Sequence, residues 1–194
     1  MSGRAVSCSG AAPRRLKDDR MRKLAALAIA AALAAGPALA KAPEPKKPIE
    51  VERLMGRWYE ILRTPNAMQK NCHGAYQVWA RSGPEKFSIT QTCHKDSLDG
   101  EPKTVPTTAK AVDPGRNTKF EASFFGGIIK QQYWMLDHDD GYSWMIASTS
   151  GGNFVSLLAR RPSLPAAEVD ALKERIGAMG LRTDRLIAMG AKAP

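Results

Sequence analysis

The sequence predicts an all-β fold, an eight-stranded antiparallel up-and-down barrel with one C-terminal α-helix packed outside. Three observations predict it. Between Val51 and Arg160, short runs rich in aromatic and β-branched residues alternate with Gly, Pro, Asn and Asp turns. Eight such strands in simple succession would leave two open edges, and closure into a barrel removes them. Only one segment, after the last run, repeats apolar residues at helical spacing.

Each element follows from its residues. Residues 41–49 form a Pro/Lys linker, a tether whose first eight residues, 41–48, hold no core-forming side chains. The first strand covers Trp58 to Leu62 and the second Ala75 to Ala80, ended by Ser82-Gly83-Pro84. Phe87 to Cys93 alternates Phe87, Ile89 and Gln91 against Ser88, Thr90 and Thr92. Lys103 to Val112 closes at Asp113-Pro114-Gly115, and Lys119 to Phe125 at Gly126-Gly127. Gln131 to Asp137, Tyr142 to Ser148 and Phe154 to Arg160 complete the set. The helix is read from Ser163 as N-cap, with Pro165 in its first turn and Val169, Leu172, Ile176 and Met179 on one face. Gly177 or Gly180 ends it, and a short strand, Arg182 to Ala188, follows.

The chain has 194 residues and a formal charge of +10. Half of that charge belongs to residues 1–40, with seven basic and two acidic side chains. Met21-Arg22-Lys23, the apolar run Leu24 to Ala35, the Gly36-Pro37 break and Ala38-Leu39-Ala40 have the layout of a secretory signal peptide cut after Ala40. Residues 1–20 read as an upstream extension, with the start at Met21. The apolar run is shorter than the ~18 residues of a membrane span. The remaining excess is spread along the chain without a basic, aromatic-interleaved cluster, so nucleic acid is not an expected partner. Cys8 leaves with the leader. No Cys sits just after the apolar run, so a lipoprotein anchor is not expected, and the mature chain is read as periplasmic or secreted. Cys72 and Cys93 remain, and an even count in an oxidising compartment reads first as a disulfide. A hairpin near Gly83-Pro84 brings them close. Free thiols or a Zn²⁺ site with His73 and His94 are the alternatives.

The block Gly56-Arg57-Trp58-Tyr59-Glu60 resembles the Gly-x-Trp signature of the lipocalin family, in the form found in bacterial lipocalins and apolipoprotein D-like members. Ser123-Phe124-Phe125-Gly126, Leu136-Asp137 through Tyr142, Leu157-Leu158-Ala159-Arg160-Arg161-Pro162 and the tail Gly180 to Ile187 agree with later family blocks in order and spacing. The resemblance covers residues 50–190 and implies a calycin barrel with a lipocalin domain. It also implies a structural pair closing one end, with Arg160 stacked on Trp58. In function it implies non-covalent binding and transport of a fatty acid or lysophospholipid, in cell-envelope maintenance.

Alternation along the first strand turns Trp58, Glu60 and Leu62 inward and Tyr59 and Ile61 outward. Glu60, Trp79, Phe87, Ile89, Tyr133, Trp134 and Trp144 are the candidate ligand-binding residues, each aromatic having outer-wall packing as its alternative. Phe124 to Ile129 is read as an apolar rim, open to peripheral membrane contact. His138 and the Asp137, Asp139, Asp140 group fall in an expected polar turn. No Gly-x-Ser-x-Gly, His-Glu-x-x-His or phosphate loop occurs, so no enzyme and no cofactor are expected. Two rival readings stand beside the carrier. One is an enzyme on this scaffold acting on a lipid or isoprenoid, using Glu60. The other is a barrel packed solid that serves as an interaction module.

Overall fold

The computed structural model describes Gly3 and residues 41–190. The segment read as a signal peptide, the start read at Met21, and Cys8 therefore lie outside the described residues. The order is α1 (Val51–Leu54), β1 (Gly56–Arg63), β2 (Cys72–Gly83), β3 (Lys86–Lys95), β4 (Pro102–Ala111), β5 (Lys119–Phe124), β6 (Ile129–His138), β7 (Trp144–Thr149), β8 (Val155–Ala159), α2 (Ala166–Ala178) and β9 (Ile187–Ala188). Consecutive strands β2 to β8 pair antiparallel, and β1 bonds to both β8 and β2, which closes the eight-stranded barrel. The first half of β1 pairs with β2, from Gly56 opposite Trp79 to Tyr59 opposite Tyr76. Beyond that point β9 takes the same edge at Leu62 and Arg63, which leaves little of that edge open to invite association.

Alternation sorts the side chains into two apolar layers. The inner layer includes Leu54, Trp58, Trp79, Phe87, Ile89, Phe120, Met135, Met145 and Leu158. The outer layer joins Tyr59, Ile61, Leu136, Ile146 and Leu157 to Leu172 and Ile176 of α2 and to Leu181. Val169 and Met179 of the same helical face pack against it, half-buried. Strands β7 and β8 are covered on both faces, which accounts for their nearly continuous apolar runs.

Several elements differ from the sequence reading. Leu62 does not point inward. A register shift between Glu60 and Leu62 inserts a bulge in β1, and Leu62 joins Ile61 on the outer layer. The helix starts at Ala166 with no side-chain cap, and Ser163 does not cap it. Pro165 keeps the preceding residue extended, which holds Ser163 outside the first turn. Gly180, at φ +80°, terminates the helix in the left-handed region that Gly adopts without strain. The last strand is only Ile187–Ala188. Tyr142 precedes β7 in a turn at φ +54°, its hydroxyl accepting the Glu50 N–H at 2.8 Å. The short α1 was not anticipated. Residues 41–49 are not a free tether. Ala42, Pro45 and Ile49 are buried, Ala42 N–H donates to Ser150 O, and Glu44 meets Lys119 at 2.6 Å.

Candidate functional site: a cavity closed at one end

Trp58 and Arg160 close the barrel floor. Trp58 is fully buried and its Nε1 donates to Leu54 O at 2.8 Å. The Arg160 guanidinium carbon sits 3.7 Å from the centre of the Trp58 ring, a cation–π distance. Its Nη atoms donate to the carbonyls of Arg57, Arg53 and Met55 at 2.7, 2.5 and 2.9 Å. One guanidinium thereby satisfies three carbonyls around α1 and the start of β1. Gly56 stands at φ +90°, and a Cβ there would lie 3.4 Å from Arg160 Nη1. A side chain at Gly56 would be strained and would crowd the plug.

Above this floor lies a cavity of about 560 Å³. The barrel is therefore not packed solid. Its lower wall is apolar, with Trp79, Ile89, Phe120, Ala122, Met135 and Leu158. Its mouth is ringed by Met68, Phe125 and Ile129, all exposed, with Ile128 beside them 85% exposed. Phe125 holds φ +52°, a conformation that costs a non-glycine residue ~1 kcal/mol.

Glu60 lies between wall and mouth. It is 7% exposed yet lines the cavity. Ser156 Oγ donates to its Oε1 at 3.1 Å and Gln69 Nε2 to its Oε2 at 2.9 Å. Arg63 Nε is 3.4 Å from Oε2, an ion-pair distance without hydrogen-bond geometry. Burial pushes the Glu60 carboxyl up from 4.5 to about 6, partly offset by Arg63, Gln69 and Ser156. Tyr133, on the same cavity, is pushed up to about 12 by burial and by the Glu60 charge.

This raised value has a stability consequence. Between about 4.5 and about 6 the folded chain holds a proton that the unfolded chain has lost. The contribution of Glu60 is therefore full below pH 4.5 and lost as pH rises through 6, by about 2 kcal/mol. In urea unfolding, wild type is expected to lose about 2 kcal/mol relative to Glu60→Gln between about pH 4 and pH 7.5. A pH-independent difference would contradict the buried environment assigned to Glu60.

The sequence candidates separate cleanly. Glu60, Trp79, Ile89 and Tyr133 face the cavity. Phe87 lies inside the barrel but off the cavity wall, wedged against Trp79 and Phe120 at ring separations of 5.9 and 5.5 Å. Trp134 and Trp144 do not line it. Each follows or precedes an inward residue (Tyr133 and Met145), so alternation turns both onto the outer layer. There Lys119 covers the Trp134 ring at 4.3 Å and Arg175 approaches Trp144 at 5.6 Å. His138 is not an exposed turn residue. It ends β6 buried, its Nδ1 and Nε2 meeting Asp139 O and Pro48 O, its ring stacked on Tyr142 at 4.2 Å.

Phe120, Ala122 and Phe124, missed as wall residues, show the same period of two in Lys119–Phe124. Arg63 and Gln69 around Glu60 had no such signal, because a bulge and a turn place them. Trp79 Nε1 is buried with no hydrogen-bond partner among the described residues, and its ring lines the cavity. A buried donor without a partner is costly unless something entering the cavity accepts from it.

Cys72 and Cys93 form a disulfide, with Cα atoms 5.6 Å apart. It ties the start of β2 to β3 near the mouth, where Cys93 lines the cavity. His94 Nδ1 meets Gly100 O at 3.1 Å. The three acidic residues near Tyr142 serve separate ends. Asp137 pairs with Arg175 of α2, Asp139 accepts from Ser143 Oγ and Trp144 N, and Asp140 meets Lys47. Among the described residues, no group of three or more His, Cys, Asp or Glu is placed to hold a metal ion. Nor is any described helix long and apolar enough to cross a membrane.

Comparison with known proteins follows the same geometry. The Lipocalin-like domain family matches residues 49–191. Apolipoprotein D of Mus musculus is 29% identical over 157 residues, covering 76% of this chain and 81% of that protein. The outer membrane lipoprotein Blc of Vibrio cholerae is 24% identical over 149 residues, covering 75% and 86%. Among solved structures, insecticyanin of the tobacco hornworm Manduca sexta superposes with a TM-score of 0.60 at 12% identity, covering 78% of this chain and 86% of that one. Lobster apocrustacyanin A1 superposes at 0.58 and 14% identity, covering 74% and 81%. At these identities the structural likenesses speak to the fold alone.

Proposed function

This chain belongs to the lipocalin family, whose members typically bind small hydrophobic ligands, and on that premise we propose that it carries a single-chain lipid, a fatty acid or lysophospholipid, in its barrel. The observation that carries the reading is the cavity of about 560 Å³, sealed by Trp58 and Arg160 and open at an apolar rim. An acyl chain laid along Trp79, Ile89, Phe120 and Leu158 is removed from water at about 0.8 kcal/mol per methylene. A ligand oxygen within reach of Trp79 Nε1 would satisfy that buried donor. Glu60, Tyr133, Trp79 and Ile89 are the ligand-contacting residues of this reading. Phe87 supports the wall from behind.

The Cys72–Cys93 disulfide fits an oxidising compartment, and we place the carrier in the periplasm as a soluble shuttle serving envelope maintenance. The exposed rim of Met68, Phe125, Ile128 and Ile129 suits brief contact with a lipid surface during loading.

Trp79 reports on the cavity, so binding is read from tryptophan emission. Titration of the delipidated protein with palmitate and with a palmitoyl lysophospholipid is expected to saturate at one ligand per chain. The expected affinity is roughly micromolar or tighter, about 8 kcal/mol. No response to either, with the circular dichroism of an intact barrel, would overturn the lipid-carrier reading.

A further inference from the structure

Glu60 is the one carboxylate among the described residues lining the cavity. We infer that the cavity reads the polar end of its ligand through Glu60, taking a neutral hydrogen-bond donor such as a hydroxyl directly and a carboxylate only together with a proton. The inference rests on the carrier reading above and specifies the ligand chemistry of that same site.

The geometry leaves room for this contact. An ionised carboxylate offers about four acceptor positions. Protein donors fill one on Oε1, from Ser156, and one on Oε2, from Gln69. Arg63 Nε approaches Oε2 at 3.4 Å without hydrogen-bond geometry, and its Nη2 is committed to Gln69 O at 3.1 Å. Glu60 therefore keeps unfilled acceptor capacity in a desolvated position. A ligand hydroxyl donating there gains a charge-assisted hydrogen bond.

A ligand carboxylate meets the opposite situation. Two ionised carboxylates within hydrogen-bond distance in a low-dielectric site repel strongly, and such a pair settles by holding one proton between its oxygens. The charged and titratable groups facing Glu60 are few. Arg63 stands beside it on β1, and Tyr133 faces it from β6 and stays a neutral phenol at ordinary pH. Gln69 of the turn after β1 and Ser156 of β8 carry no charge. Arg63 carries a single positive charge, which balances one carboxylate and not two. The raised value of Glu60, about 6, places the required proton uptake in an accessible range. Lys95 and Lys103 also line the cavity, from β3 and β4, and are the competing anchor for an anionic head group.

Two probes of equal chain length separate these outcomes, 1-dodecanol and dodecanoate, titrated calorimetrically into the full-length protein. At about pH 7.5, in two buffers of different ionisation enthalpy, dodecanoate is expected to bind with uptake of one proton per chain and dodecanol with none. Dodecanoate affinity should fall about tenfold per pH unit above about 6, while dodecanol affinity changes less than about threefold. In Glu60→Gln, the proton uptake and the pH slope for dodecanoate should both vanish. The wild-type measurements decide the matter even if that variant folds poorly. Dodecanoate binding without proton uptake, at equal strength across this range, would place its head at Lys95 and Lys103 and overturn the inference while leaving the carrier reading intact. A pH slope that persists in folded Glu60→Gln would also overturn it. No binding of either probe at any pH would overturn the inference and the fatty-acid arm of the carrier reading, and would leave the lysophospholipid arm to the palmitoyl lysophospholipid titration above.

Discussion

Replacement of Trp58 by Ala is expected to cost about 4 kcal/mol of folding stability. Trp58 has no exposed surface and fills the barrel floor among Leu54, Met145 and Leu158. Its removal leaves a void that β-strands bonded on both sides cannot collapse to fill. Two further losses add to the void. Leu54 O loses the Nε1 donor, and Arg160 loses the indole face on which its charge is stacked. These together are worth about 1–2 kcal/mol. Against a typical domain stability of about 5–15 kcal/mol, the variant stands near the limit of folding. Urea unfolding monitored by circular dichroism measures the effect. Trp58→Phe, which keeps most of the ring volume, should lose less than half as much. A loss below about 1 kcal/mol in Trp58→Ala would mean that the floor is not closed by this side chain.

The second large effect concerns binding. Ala122 lies on the cavity wall at 4% exposure, between Phe120 and Phe124 in β5. Ala122→Trp projects an indole into space that a ligand would otherwise occupy. Displacing about three methylenes of ligand chain at about 0.8 kcal/mol each removes roughly 2.4 kcal/mol, about 50-fold in affinity. The barrel itself should be unharmed, since the new side chain enters a void and not a packed layer. Calorimetric titration with 1-dodecanol reads the change, and the thermal midpoint controls for folding. Unchanged affinity in a stable variant would place the ligand outside the barrel.

Much of this was legible in the sequence, for identifiable reasons. Period-two alternation in Phe87, Ile89 and Gln91 and turn residues such as Asp113-Pro114-Gly115 are local signals, and all eight strands of the barrel followed from them. The same alternation, applied from Tyr133 and Met145, would have turned Trp134 and Trp144 outward. Both had outer-wall packing as their alternative, and strand parity decides for it. Leu62 shows the limit of parity itself. The bulge between Glu60 and Leu62 is set by pairing with β8, nearly a hundred residues away, and leaves no local mark. The surroundings of Glu60 were illegible for a similar reason. Arg63 reaches it through that bulge, Gln69 through the turn capped by Asn66, and Ser156 from across the β1–β8 seam. Residues 41–49 read as a tether because Pro and Lys dominate them. Their burial rests on Ala42, Pro45 and Ile49 finding the barrel surface, while Lys47 binds His138 O and Asp140.

That the barrel interior is a ligand site is tested by palmitate titration of the delipidated wild-type protein. Tryptophan emission should change along a saturable curve with one palmitate per chain, at roughly micromolar affinity or tighter. An emission signal that stays flat to saturation of the solvent with palmitate, from a protein whose circular dichroism shows the intact barrel, would contradict the claim.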